Sequence, residues 1–148
     1  MSACTFFGHR DCPSDVYGKL YDTIVYLIEN QGVNTFLVGE EGGFDRMVQR
    51  VLLEIQGQYP NIACFAVKAY YNHQKTDERS LLQSIYPECL EKAPKRFAID
   101  RRNRYMIDNS NYVVTYVTVS FGGAAKFADI AKRKNKNVIN LAGNLEYS

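Results

Sequence analysis

Five short segments of this chain are rich in apolar residues, and the first three of them are almost continuously apolar. They lie at residues 5–8, 35–39, 62–67, 112–117 and 137–141. Continuous rather than alternating apolar strands are typical of a parallel sheet that is covered on both faces. Helical spacing of apolar positions separates most of these segments. The pattern therefore predicts an α/β fold, a Rossmann-like doubly wound and mostly parallel sheet of about five strands with helices on both faces.

The helices are predicted from the same periodicity together with their start and stop signals. Ser14 can cap the first helix, and Gly32 follows its last turn in a position suited to a left-handed stop. A glycine-containing loop at 40–44 precedes the second helix. The predicted helices cover residues 16–28, 47–55, 78–86 and 101–110, and a last one begins at 122–123.

Ligands of doubly wound sheets bind beyond the carboxyl ends of the strands, and this rule directs attention to the loops that follow the strands. After the first strand, Gly8 permits close approach of a ligand, Arg10 can hold a phosphate or carboxylate, and His9 can donate a hydrogen bond or transfer a proton. The structural alternative is a tight turn at Gly8 with Arg10 paired to Asp45 or Glu41. The loop after the third strand carries Tyr70, Tyr71 and His73.

The loop after the second strand contains three glycines and three carboxylates. Gly39, Gly42 and Gly43 precede a helix, where backbone N–H groups can face an anion. Glu41 and its neighbours could hold ribose hydroxyls or act as an acid or base. The alternative is a simple turn in which Asp45 caps the helix.

Two further segments complete the candidate site. Gly122 and Gly123 form a phosphate-type turn after the fourth predicted strand. Residues 101–104 form the densest basic cluster, and helical spacing lets one arginine face the strand ends while another stays in solvent. Salt bridging accounts for at least one of these arginines.

The composition of the chain narrows the classes of protein to which it can belong. The 148 residues suit one domain, and 46% hydrophobic residues are sufficient for a packed core. Four scattered cysteines and two histidines disfavour a metal site, and no metal or cofactor is expected. No apolar stretch approaches the length of a membrane span, and the N-terminus lacks a secretory pattern. We expect a cytoplasmic protein with no membrane partner.

Charge is uneven along the chain. Residues 91–136 hold 11 Lys+Arg and 4 Asp+Glu, a local charge of +7, whereas the whole chain carries +2. The basic run at 132–136 ends a helix, where cations suit the helix dipole without any ligand. The sequence shows no aromatic-rich basic groove. Nucleic acid is therefore disfavoured as a partner at this stage. The chain also lacks the dinucleotide-binding, P-loop and α/β-hydrolase motifs.

Four blocks in order carry a family resemblance. Phe6 to Arg10 resembles the opening strand and loop of the YpsA-like branch of the SLOG superfamily, and Gly39 to Asp45 resembles its second block. The segment 102–110 resembles its "RN-x-x-M" helix, and Gly122-Gly123-Ala124 its "GGT" turn. The resemblance implies one SLOG-like Rossmannoid domain over residues 1–148 and a possible homodimer. It also implies a ligand site made of Gly8, His9, Arg10, Gly39, Gly42, Gly43, Asp45, Arg102, Asn103, Gly122 and Gly123.

The resemblance to this superfamily suggests three functions for this chain. The leading one is binding or sensing of a nucleotide-derived small molecule, of the NAD, ADP-ribose or nucleoside monophosphate class. The first alternative is an N-glycosidase of nucleoside monophosphates, as in the LONELY GUY phosphoribohydrolases, with Asp129 and Glu41 as catalytic carboxylates. Asp129 stands where that branch carries glutamate. The second alternative is single-stranded DNA binding, as in DprA-type proteins.

Overall fold

The computed structural model describes residues 2–70, 82–90 and 94–143. Its six strands are β1 (Ala3–Gly8), β2 (Thr35–Val38), β3 (Ala63–Val67), β4 (Gln83–Ile85), β5 (Tyr112–Tyr116) and β6 (Asn137–Asn140). Its α-helices are α1 (Val16–Gln31), α2 (Gly42–Gln56), α3 (Ala98–Asp108) and α4 (Gly123–Arg133). Single 3₁₀ turns occupy Glu88–Leu90 and Lys95–Phe97.

The six strands form one parallel sheet in the order β4-β3-β2-β1-β5-β6. The chain first winds outward from β1 to β4 and then crosses back to place β5 on the other side of β1. The strand order thus reverses between β1 and β5, and the helices that follow these two neighbouring strands diverge and leave a crevice. The predicted Rossmann-like fold class is confirmed.

Both faces of the sheet are covered, as the continuous apolar strands predicted. On one face, α1 and α2 pack a cluster that includes Leu20, Ile24 and Leu52. On the other face, α3 and α4 contribute Met106 and Phe127, among others. Alternate side chains of one strand enter the two layers, so the four inner strands are mostly apolar along their whole length.

The prediction of about five strands missed β4. The predicted helix over 78–86 is wrong where it can be compared, because Gln83–Ile85 pairs in parallel with β3. The edge position explains the error: Gln83 and Ser84 are exposed, so this strand needs no apolar run. Residues 78–81 lie outside the described residues.

Two helix starts also differ from expectation. Helix α2 begins at Gly42, inside the predicted loop. The first turn of α1 follows Asp15, with no side-chain cap from Ser14. Among the described residues, no helix has the length and apolar character needed to cross a bilayer.

Candidate functional site

A cavity of about 420 Å³ opens at the carboxyl edge of the sheet, beside the reversal between β1 and β5. Four chain segments meet there: β1 with its following loop, the start of α2, one face of α3, and the start of α4. Its lining residues are Phe6, Phe7, Gly8, His9, Arg10, Glu41, Asp45, Ile99, Arg102, Asn103, Met106, Gly123, Ala124 and Phe127. On α3 the lining positions recur at helical spacing, so a single helix face contributes one side of the cavity.

Glycines let the β1 loop and the start of α2 approach each other closely. A Cβ on Gly8 would lie 2.3 Å from Cγ of Phe44, and one on Gly43 would lie 2.4 Å from the carbonyl oxygen of Arg10. The Gly43 N–H donates to that same carbonyl at 2.8 Å. These glycines are therefore required by packing, and the N–H of Gly43 already has a partner within the protein.

Asp45 satisfies another donor at the start of α2. Its Oδ2 accepts a hydrogen bond from the Glu41 N–H at 2.8 Å. The side chain is 8% exposed, and its Oδ1 accepts no hydrogen bond from the described residues. Burial raises the pKa of Asp45 to about 7, although the Glu41 N–H and the Arg102 guanidinium both favour the charged form.

Arg102 is the largest fully buried side chain, at 1% exposed. Its Nε donates to Asn103 Oδ1 at 2.8 Å, and its Nη1 donates to the Val67 carbonyl at 3.0 Å. Its Nη2 has no acceptor within the part of the chain that the structure describes. Burial lowers the pKa of Arg102, and the charge of Asp45 opposes that shift most strongly. A guanidinium still keeps its proton at neutral pH.

The two buried charges are neighbours across Gly39. A Cβ on Gly39 would lie 3.0 Å from Asp45 Oδ2 and 3.1 Å from Arg102 Cζ. A Cβ at this position would make unusually tight contacts, so Asp45 or Arg102 would have to shift to admit it. The glycine thus acts as a spacer for the charged pair rather than as part of the cavity lining.

His9 joins two loops at the rim of the cavity. Its Nε2 accepts a hydrogen bond from the Thr118 N–H at 2.9 Å, and its ring meets the edge of Tyr116 with centroids 6.0 Å apart. The Nε2 is therefore the unprotonated nitrogen of a neutral ring, with the proton on Nδ1. This bond fixes the loop that leads to α4.

The start of α4 differs from the start of α2 in its openness. Gly122 has φ 95° and ψ 174°, and no atom would meet a Cβ on Gly122 or Gly123 within 4 Å. Gly123 and Ala124 line the cavity, and their N–H groups belong to the first turn, which has no intrahelical acceptor. Lys126 closes the turn with its N–H on the Gly122 carbonyl, and its Nζ pairs with Asp100 at 3.0 Å.

The sequence-predicted site residues divide into two groups. The cavity brings together Gly8, His9, Arg10, Glu41, Asp45, Arg102, Asn103 and Gly123. Gly39, Gly42 and Gly43 lie behind this lining, and Gly122 lies just outside it. Asp129 is exposed on α4 and does not line the cavity, whereas Glu41 does. Tyr71 and His73 lie outside the described residues.

The structural alternative for Arg10, a salt bridge to Asp45 or Glu41, is not what the structure shows. The Arg10 side chain is exposed, and within the described ranges it forms no ion pair with Asp45 or Glu41. It remains available at the rim of the cavity. The basic cluster does follow the expected division, with Arg102 inside and Arg104 bound to Asp100 at 2.7 Å on the surface.

Sequence reasoning selected Tyr70 but missed two other exposed aromatic side chains at this edge of the sheet, Phe97 and Phe121. Phe121 is 73% exposed in the loop before α4, Phe97 is 45% exposed just before α3, and Tyr70 is 42% exposed after β3. Arg96 lies over the Phe97 ring, 4.9 Å from its centroid. The three rings are far apart in sequence, so no local pattern could have grouped them.

No family model and no curated protein matches this sequence. Solved structures do match its fold. DNA processing protein A (DprA) from Streptococcus pneumoniae superposes with a TM-score of 0.67 at 15% identity, over 93% of this chain and 49% of that one. DprA from Helicobacter pylori superposes with a TM-score of 0.64 at 17% identity, over 93% of this chain and 63% of that one.

The chain thus spans between half and two thirds of the length of these two proteins. At such low identity the likeness shows a shared fold. The Helicobacter pylori structure describes a single-stranded DNA binding mode. The prediction that set nucleic acid aside as a partner is therefore wrong, because a protein with this fold binds single-stranded DNA.

Proposed function

We propose that this chain binds single-stranded DNA along the carboxyl edge of its sheet, with one backbone phosphate in the cavity beside Arg102. The single-stranded DNA binding of the Helicobacter pylori neighbour supports this assignment. Within this chain, the main observation for the assignment is the Nη2 of Arg102, which has no acceptor among the described residues. The Arg102 side chain is only 1% exposed, yet it borders a cavity large enough to admit an anion that would accept a charge-assisted hydrogen bond from Nη2.

The start of α4 supplies neutral donors beside that cation. The N–H groups of Gly123 and Ala124 are at the positive end of the α4 dipole and line the same cavity as Arg102. A phosphate between the helix start and the guanidinium would satisfy both sets of donors. Arg10 at the rim would contact the next phosphate along the strand.

The exposed rings supply the second ingredient of single-strand binding. Unpaired bases stack on aromatic faces irrespective of their sequence, at about 1–3 kcal/mol per base. Phe121 and Phe97 precede the starts of α4 and α3, two of the helices that line the cavity. We expect Phe121 to stack a base next to the bound phosphate.

A nucleotide-derived small molecule is the second candidate. The cavity volume of about 420 Å³ is within the range of small-molecule sites, and one nucleotide unit would fill it. This candidate agrees with the resemblance to the YpsA-like branch. That resemblance stays a prediction, as do the single SLOG-like domain, self-association and a cytoplasmic location.

The test is fluorescence anisotropy with a labelled oligothymidylate of about 16 nucleotides, which is within the known range of single-strand site sizes. We expect saturable binding that weakens steeply with salt and is weaker for duplex of the same length. Absence of binding at micromolar protein would overturn the proposal. Displacement of the oligonucleotide by AMP, NAD or ADP-ribose would support the small-molecule candidate.

Two pairs of variants locate the site. Arg102→Lys keeps the charge but loses the planar fork, and Arg101→Lys is its control on the exposed face of the same helix. Phe121→Ala removes the most exposed ring, and its control is Leu53→Ala, an exposed apolar residue near the far end of α2. We expect about tenfold weaker binding from each site variant and less than about twofold from each control.

A further inference from the structure

The cavity contains an acidic group that an anion-binding site does not require. Asp45 and Glu41 line the same cavity as Arg102, and Glu40 is the residue just before Glu41. An ionised carboxylate at Asp45 would repel a phosphate and would compete with it for the guanidinium. The protonated acid would instead be neutral and could donate a hydrogen bond from its otherwise unused Oδ1.

We propose that Asp45 binds a proton when the cavity takes up a phosphate diester, and that the neutral acid donates a hydrogen bond to that phosphate. This inference rests on the function proposed above for the identity of the anion. The geometry supporting it is the placement of Asp45 and Arg102 across Gly39, with one Asp45 oxygen held by the Glu41 N–H and the other unengaged by the described residues.

The charges around Asp45 come from several elements. Glu40 and Glu41, in the loop before α2, favour the protonated acid, and Arg102 on α3 opposes it. Lys68, just after β3, is paired with Glu40 at 3.2 Å. Arg10, in the loop after β1, lines the cavity and attracts the same anion, and the neutral His9 lies beside it. On α2 itself, Arg46 is exposed and Gln49 donates to the Gly39 carbonyl.

Burial places the protonation of Asp45 in the physiological range, since the pKa of this carboxyl is raised to about 7. A phosphate in the cavity would pair with Arg102, which would then stabilise the Asp45 carboxylate less. The phosphate would also add a negative charge that repels this carboxylate. Both effects favour the proton on Asp45. Affinity for the anion should consequently fall as the pH rises above 7.

The first measurement is the pH dependence of oligothymidylate binding at constant ionic strength. Phosphate diesters do not titrate in this range, so the ligand contributes no pH dependence. Between about pH 6 and about pH 8.5 we expect affinity to fall at least tenfold for the native chain, since one proton is linked to binding. Asp45→Asn keeps the shape and stays neutral, so its affinity should vary by less than about threefold.

The difference between the two profiles isolates Asp45, because every other titratable group is common to both proteins. Parallel profiles would overturn the inference while leaving the proposed function intact. Failure of both proteins to bind at any pH would overturn the proposed function. In that case a second measurement on the native chain decides the role of Asp45.

That measurement follows the side-chain carboxyl carbon of Asp45 by NMR across the same pH range, in sodium sulfate and in sodium chloride of equal ionic strength. Sulfate is a tetrahedral anion that does not titrate here. We expect the midpoint of the Asp45 titration to move to higher pH in sulfate. An unchanged midpoint would overturn the inference whether or not DNA binds.

Discussion

The helices α2 and α4 both begin with a glycine pair after a central strand, yet their starts are built differently. Gly42-Gly43 opens α2 and is pressed against the loop that contains Arg10. Gly122-Gly123 precedes and opens α4 with free space around both Cα atoms. The same dipeptide therefore supports tight packing at one helix start and an accessible helix terminus at the other.

The hydrogen bonds show the same contrast. At α2, the Gly43 N–H donates to the Arg10 carbonyl and the Glu41 N–H donates to Asp45. At α4, Gly123 and Ala124 line the cavity, and their first-turn N–H groups have no such partners among the described residues. A glycine pair at a helix start thus indicates an anion site only when no part of the chain already occupies its donors.

The largest effect should come from the acid that closes the start of α2. An unfolded Asp ionises near pH 3.9, whereas the pKa of folded Asp45 is raised to about 7. Its stabilising contribution is complete below the unfolded value and is lost as the pH rises towards 7. The loss amounts to roughly 4 kcal/mol at most.

Urea denaturation across this pH range checks that expectation. Asp45→Asn is the control, because a neutral amide removes the linked proton. The difference in unfolding free energy between the native chain and this variant should therefore depend on pH between about 4 and 7 and level off above 7. A difference that does not vary with pH would show that Asp45 ionises normally.

Gly43→Ala tests the closed helix start by adding one methyl group. Its Cβ would lie 2.4 Å from the Arg10 carbonyl oxygen, so the backbone of one loop must shift. We expect a loss of about 3 kcal/mol in unfolding free energy, at the upper end for overpacked sites. Thermal or urea denaturation measures it, and an unchanged midpoint would contradict the close approach of the two loops.

Gly122→Ala tests backbone conformation where space is not limiting. The residue has φ 95° with extended ψ, a region that side chains avoid, although nothing would contact its Cβ. Strain alone should reduce the unfolding free energy by about 1–3 kcal/mol. Equal stability of this variant and the native chain would mean that the turn readily adopts another conformation.

Gly123→Ala should have the smallest effect. It has neither positive φ nor a neighbour within 4 Å of a Cβ, so the change in unfolding free energy should stay within about 0.5 kcal/mol. Measured beside Gly43→Ala by the same method, it gives the direct contrast between the two glycine pairs. A large loss at Gly123 would remove that contrast.

Much of the site could be predicted because the parallel sheet brings strand ends together. Gly8 and Arg10 were selected from their positions after a strand, whereas Arg102 was selected through the family resemblance, and all three line the cavity. The rule that ligands bind beyond the carboxyl ends of parallel strands could not tell which glycines line a cavity and which pack against the chain. It also could not group Phe97 with Phe121, since they flank different helices.

The sequence alone determined the fold class, because buried parallel strands must be apolar on both faces and the helices between them must carry one apolar face. The edge strand β4 was not predicted, because its exposed residues need no apolar pattern. Only the tertiary structure decided that Asp45 and Arg102 are buried together across Gly39. Burial and proximity arise from contacts between distant segments, and these contacts raise the pKa of Asp45 and lower that of Arg102.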